Sequence, residues 1–224
     1  MINTRRLTKL RRMMKRLRRG RGGIRIAVIG WGSLLWRPGE LALTTGRWNK
    51  DGPTLPIEFA RRSRKATRLT LAVAPNSDER VRTYWAVSDE HAIPDARENL
   101  RLREGARHIE EIFALDKQGR YWGRGRDPGP REDVLLWLSD HPALDAVIWT
   151  GLKANWPKGK ALTFATVDAY VSGQSLIDRA GIKNYVRRTP AQVDTSLRRN
   201  IEEAYGLRRI PVPASCFEDG IEEF

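Results

Sequence analysis

The sequence predicts a mixed α+β fold. Short apolar, β-branched runs and capped helical stretches follow one another without regular alternation, which disfavours a doubly wound parallel sheet. The chain has 224 residues with 40% hydrophobic content, enough to bury one good core. Residues 24–224 read as a single domain, and residues 1–23 as a basic N-terminal extension.

Each element has its own signal. Ile24–Ile29 is an apolar, β-branched run broken only by Arg25, and reads as a buried strand. Leu55–Phe59 and Leu69–Val73 read as short strands, and Val81–Val87 alternates well enough to be another. A helix is expected from about Pro94 to Arg103, with Asp95 and Glu98 in its first turns and Glu104-Gly105 at its C-terminal end. Glu111–Ala114 and Ala146–Thr150 are strand candidates, and Asp133–Leu138 a short helix. Thr189-Pro190-Ala191-Gln192 matches a capping box with proline at the first helical position, and predicts a helix ending at Gly206.

Charge is unevenly distributed. Of 41 Lys and Arg, ten lie in residues 1–23, which hold no acid. The net charge of +14 thus falls to +4 for the remainder, with 31 basic and 27 acidic residues. Leu7, Leu10, Met13, Met14 and Leu17 form an apolar stripe in the tail, and Gly20, Gly22 and Gly23 a joint behind it. The tail reads either as a flexible extension or as a basic amphipathic helix for nucleic acid or an anionic membrane surface.

Several classes are disfavoured. The single cysteine, Cys216, excludes an intramolecular disulfide, and His91, His108 and His141 lack metal-ligand spacing. No apolar run nears the ~20 residues that span a bilayer, and no h-region follows the basic start. A reducing cytoplasm is the expected location.

The chemistry is expected at Gly30-Trp31-Gly32-Ser33-Leu34-Leu35, where the first strand meets a small-residue turn. The dinucleotide fingerprint G-x-G-x-x-G fails here. Its third glycine is Leu35, bulky Trp31 holds the first variable position, and Pro38 disrupts the helix that should cradle pyrophosphate. A carboxylate or oxyanion suits the turn better, held by the backbone N–H groups of Gly32, Ser33 and Leu34.

Gly30-Trp31-Gly32-Ser33-Leu34-Leu35-Trp36-Arg37-Pro38 resembles the G-Y-G-S-L-(I/L)-W-x-P opening of the ChaC-like gamma-glutamylcyclotransferases. Two further stretches agree in order. Phe59-Ala60-Arg61-Arg62-Ser63, followed by Arg68–Val73, is similar to that family's Arg-rich segment and apolar strand. Leu100-Arg101-Leu102-Arg103-Glu104-Gly105-Ala106 is similar to the segment around its catalytic glutamate. The match covers roughly residues 24–112. Trp31 departs from it, standing where the family has tyrosine.

The resemblance implies a small mixed β-barrel with flanking helices. It implies an enzyme that cyclises a small gamma-glutamyl compound to 5-oxoproline and expels the amine or peptide portion, with no cofactor and no metal. Glu104 would be the general acid/base. Trp31, Gly32, Ser33 and Leu34, with Arg62 or Arg64 as a carboxylate clamp, would bind substrate. Glu110 and Glu111 are the neighbouring alternatives to Glu104, and Glu110 would share a strand face with His108. A second function is a binding protein with a decayed site, whose basic tail associates with nucleic acid or an anionic membrane surface.

Overall fold

The computed structural model describes residues 23–63, 68–124, 130–157 and 159–218. The basic segment before Gly23, and Arg64 in the Arg-rich stretch, lie outside the described residues. No helix among the described residues is long and apolar enough to cross a membrane.

A five-stranded mixed sheet forms the centre, in the order β6-β1-β9-β7-β8. Its strands are β1 (Ile26–Gly30), β6 (Tyr84–Val87), β7 (Ile112–Asp116), β8 (Tyr121–Trp122) and β9 (Ala146–Thr150). Strand β1 pairs antiparallel with β6 and parallel with β9, so it is central and buried throughout. Alternation along β1 sends Ile26 and Val28 into one core, and Ala27 and Ile29 into another. Helix α1 (Ile93–Glu104) covers the first of these faces through Ile93, Ala96 and Leu100.

The other face is covered by a hairpin and four helices. Strands β3 (Ile57–Ser63) and β4 (Arg68–Val73) pair antiparallel with a register shift between Glu58 and Arg61. Helices α2 (Arg131–Ser139), α3 (Phe164–Ser172), α4 (Leu176–Arg188) and α5 (Ser196–Ala204) contribute Val134, Val171, Val186 and Ile201 to the same core.

The α+β class stands, but the strands do not close into the expected barrel. Strands β6 and β8 are the two edges of an open sheet. The expected strand over Val81–Val87 breaks at Thr83, whose amide and hydroxyl both donate to Pro53 O. This break sends β5 (Val81–Arg82) to pair with β2 (Thr54–Leu55), and β6 to pair with β1. The hairpin β3–β4 forms a separate ladder, and the Asn155 side chain brackets β3 at Arg62.

The capping box expected at Thr189 is also corrected. Thr189 ends helix α4, and its hydroxyl donates back to Tyr185 O. The carbonyls of Thr189, Pro190 and Val193 turn inward to the buried Arg198 guanidinium, so they do not serve a helix starting there. The next helix, α5, starts six residues later, where the Thr195 hydroxyl accepts from Arg198 N.

Candidate active site

Strand β1 ends at Gly30, where Trp48 and Leu35 leave no room for a side chain. A Cβ there would stand 2.9 Å from the Trp48 ring. The chain then turns through residues 31–36 without forming a helix, held by Leu35 N to Gly32 O (3.0 Å) and Arg37 N to Ser33 O (2.9 Å). A dinucleotide site needs a helix N-terminus here, and none follows the strand. Trp31 packs into one core, Leu34 and Leu35 into the other. The turn is thereby anchored on both sides, and Ser33 is left facing a cavity of about 1690 Å³.

Glu104 enters the same cavity from the end of α1. Gly105 adopts the left-handed conformation (φ 62°, ψ 31°) and stops the helix, with Ala106 N donating to Arg101 O. The Arg103 guanidinium joins the helix end to the turn. It donates to Glu104 Oε1 (2.7 Å), Ser33 Oγ (3.2 Å) and Arg37 O (2.7 Å). The Arg103 and Glu104 side chains are 10% and 15% exposed, so this ion pair is well sheltered. Residues 70 apart in sequence thus meet around one guanidinium.

Tyr185 of α4, absent from the sequence-based candidates, completes the group. A Cβ on Gly32 would lie 2.7 Å from its Oη, so glycine is required for the hydroxyl to rest on the turn. Burial pushes the phenol up to about 12, against the lowering effect of the Leu71 and Ser33 amides; the Glu104 charge adds to the rise. Trp36 and Phe59 pack edge-on against its ring, at 5.6 and 6.4 Å between centroids. Two amides donate to the Tyr185 oxygen, and its proton is retained at neutral pH, so the group is a hydrogen-bond donor and not a base.

The expected residues divide as follows. Trp31, Ser33 and Glu104 line the cavity, whereas Gly32 and Leu34 are not among its lining residues. The Ser33 amide, expected to meet substrate, instead serves Tyr185. Arg62 is not in the cavity wall either. Its guanidinium lies over the Tyr170 ring at 5.8 Å, while Arg61 and Ser63, one residue to either side, face the cavity. Glu110 and His108 both line the cavity but lie in and beside a 3₁₀ turn (Ile109–Glu111), not on a strand. Glu111 caps that turn. Burial works upward on its carboxyl, but amide hydrogen bonds from His108 and Arg107 bring it below the usual carboxylate range.

Tyr185 was missed because α4 itself was not predicted. A local signal existed: Ser175 and Asp178 form an S-x-x-D start, and Ser175 Oγ accepts from Asp178 N. Gly181, Asn184, Tyr185 and Arg188 then fall at helical spacing on the cavity side. Among the described residues, no group of three or more His, Cys, Asp or Glu is placed to hold a metal ion.

Comparison with known proteins does not place the chain in a family. No protein-family model matches it, and neither the curated proteins nor the solved structures contain a match.

Proposed function

We propose that the protein is a gamma-glutamylcyclotransferase-like enzyme that converts a small gamma-glutamyl compound to 5-oxoproline. The observation that carries this reading is the Arg103 guanidinium, which bridges Glu104 to the Ser33 turn inside one cavity.

The substrate's α-amine attacks its own γ-carbonyl carbon, and the bond from that carbon to the leaving nitrogen breaks. Holding the substrate folded for a five-membered ring supplies much of the acceleration. Glu104 takes the proton from the attacking amine and returns it to the leaving nitrogen, a role worth roughly 10²–10⁴-fold. Arg103 keeps Glu104 oriented through their 2.7 Å ion pair. Ser33 Oγ accepts from Arg103 and so keeps its own proton to donate. Tyr185 Oη and Ser33 Oγ then face the developing oxyanion as donors, in the role first expected of the backbone amides. Trp31, 4% exposed, forms an apolar wall where the resembled family carries a hydroxyl.

The single cysteine, Cys216, is a free thiol, and we assign the activity to the cytoplasm. Incubating the purified protein with gamma-glutamyl amino acids, peptides and amines, and scoring 5-oxoproline by mass, tests the reading. Release from at least one compound, at a rate proportional to protein, is expected; none from any compound contradicts it.

A further inference from the structure

The cavity is larger and more cationic than cyclisation of a gamma-glutamyl head group requires. Its volume of about 1690 Å³ exceeds the roughly 300–1,000 Å³ usual for small-molecule sites. Eight Lys or Arg line it against four Glu, a net of +4. Residues 24–224 carry +4 in total, so this one wall holds a charge equal to the whole excess of the body. Arg103 is committed to Glu104, and Glu111 to the 107–111 turn.

The remaining cations are arranged by the fold. On the hairpin, Arg61 pairs with Thr70 and Ser63 with Arg68, so Arg61 and Arg68 lie on one face. Helix α4 adds Arg188 one turn beyond Tyr185, and the chain after β9 adds Lys153, whose carbonyl accepts from Arg61 Nη1 at 2.8 Å. Arg37 and Arg107 continue the wall beside the turn and beyond α1. Like charges gathered in a concavity repel one another, and an anion in their midst relieves that cost.

Resting on the proposed cyclotransferase reading, we infer that the leaving portion of the substrate is a polyanion: an acidic amino acid or short acidic peptide with at least two carboxylates. The head group occupies the Ser33–Tyr185–Glu104 end, and the leaving portion lies along Arg61, Arg68, Arg188 and Lys153. As the α-nitrogen bonds the γ-carbon, the amine of this acidic portion departs and receives its proton through Glu104.

The test compares three compounds of similar size: gamma-glutamyl-glutamate, gamma-glutamyl-glutamine and gamma-glutamyl-pentylamide, whose leaving portions carry two, one and no carboxylates. The expected kcat/KM follows that order, with about tenfold between the first two. The gap should shrink between about 50 and about 500 mM salt as screening grows. Arg68→Gln and Arg188→Gln should each reduce the glutamate-to-glutamine ratio, and Arg68→Lys should restore part of it; a merely misfolded variant would lower both rates together. Equal or inverted kcat/KM values, insensitive to salt, overturn the inference and leave the cyclotransferase reading standing. If none of the three releases 5-oxoproline, calorimetric binding decides. Tighter, salt-sensitive binding of gamma-glutamyl-glutamate than of gamma-glutamyl-glutamine supports the cationic, anion-binding wall while the reaction falls; equal or no binding overturns both.

Discussion

The hydroxyl of Tyr185 rests on the backbone of Gly32, so closely that a Cβ at Gly32 would stand 2.7 Å from it. This contact ties α4 to the turn after β1, two segments about 150 residues apart in sequence. Tyr185→Phe removes the donor and leaves the Ser33 and Leu71 amides without their acceptor. We expect kcat to fall by about 10²-fold with a smaller change in KM, and stability by about 1–3 kcal/mol. Gly32→Ala should act in the same direction by displacing the ring. Steady-state kinetics beside thermal melts check both, and an unchanged kcat in Tyr185→Phe would remove the hydroxyl from the mechanism.

Arg103 makes three hydrogen bonds that a lysine cannot reproduce together, because only the planar fork reaches Glu104, Ser33 and Arg37 O at once. Arg103→Lys keeps the charge and loses the geometry. The expected outcome is a drop in kcat/KM of about 10²-fold, since a small misplacement of a catalytic group is costly. The measurement is 5-oxoproline release across a substrate titration. Full activity in the lysine variant would show that charge alone suffices.

A separate prediction concerns Glu58, buried on β3 at 5% exposure. Burial raises its carboxyl from 4.5 to about 7, against lowering by the Phe59 amide and the Thr195 hydroxyl, while Glu79 adds to the rise. A raised acid binds its proton more tightly in the folded chain than in the unfolded one. Its contribution is therefore present below pH 4.5 and is lost as the pH climbs through about 7. The size is about 3 kcal/mol. Glu58→Gln keeps an acceptor for Phe59 N and Thr195 Oγ1 but cannot ionise. Denaturant melts should show the variant gaining on the native protein between pH 4.5 and 7; parallel pH curves would refute the assignment.

Local signals made much of the central sheet readable, along with α1 and the turn at Gly30. Strand β9 lies at the expected Ala146–Thr150, and α1 extends the expected helix by one residue at each end. These segments carry strong apolar runs or a glycine stop. The failures share a physical cause, which is that distant partners overrode local chemistry. Thr189 carries a good capping box, yet Arg198, fully buried, claims the carbonyls around it and ends α4 there. Alternation over Val81–Val87 looked continuous, yet Thr83 is drawn to Pro53 and splits the run. At the site, sequence order suggested Glu104 and Ser33, but nothing local reveals that Arg103 would link them. Arg62 and Arg61 could not be told apart without knowing the face of β3. Helix α4 brought Tyr185 from a region where no chemistry had been assigned.

The most direct measurement is 5-oxoproline release by the native protein and by Glu104→Gln, with melts showing that both are folded. The carboxamide fills nearly the same volume but cannot carry the proton from the attacking amine to the leaving nitrogen. The expected result is release by the native protein and loss of at least about 10²-fold in the variant. Near-normal release by Glu104→Gln would contradict the role assigned to this carboxylate.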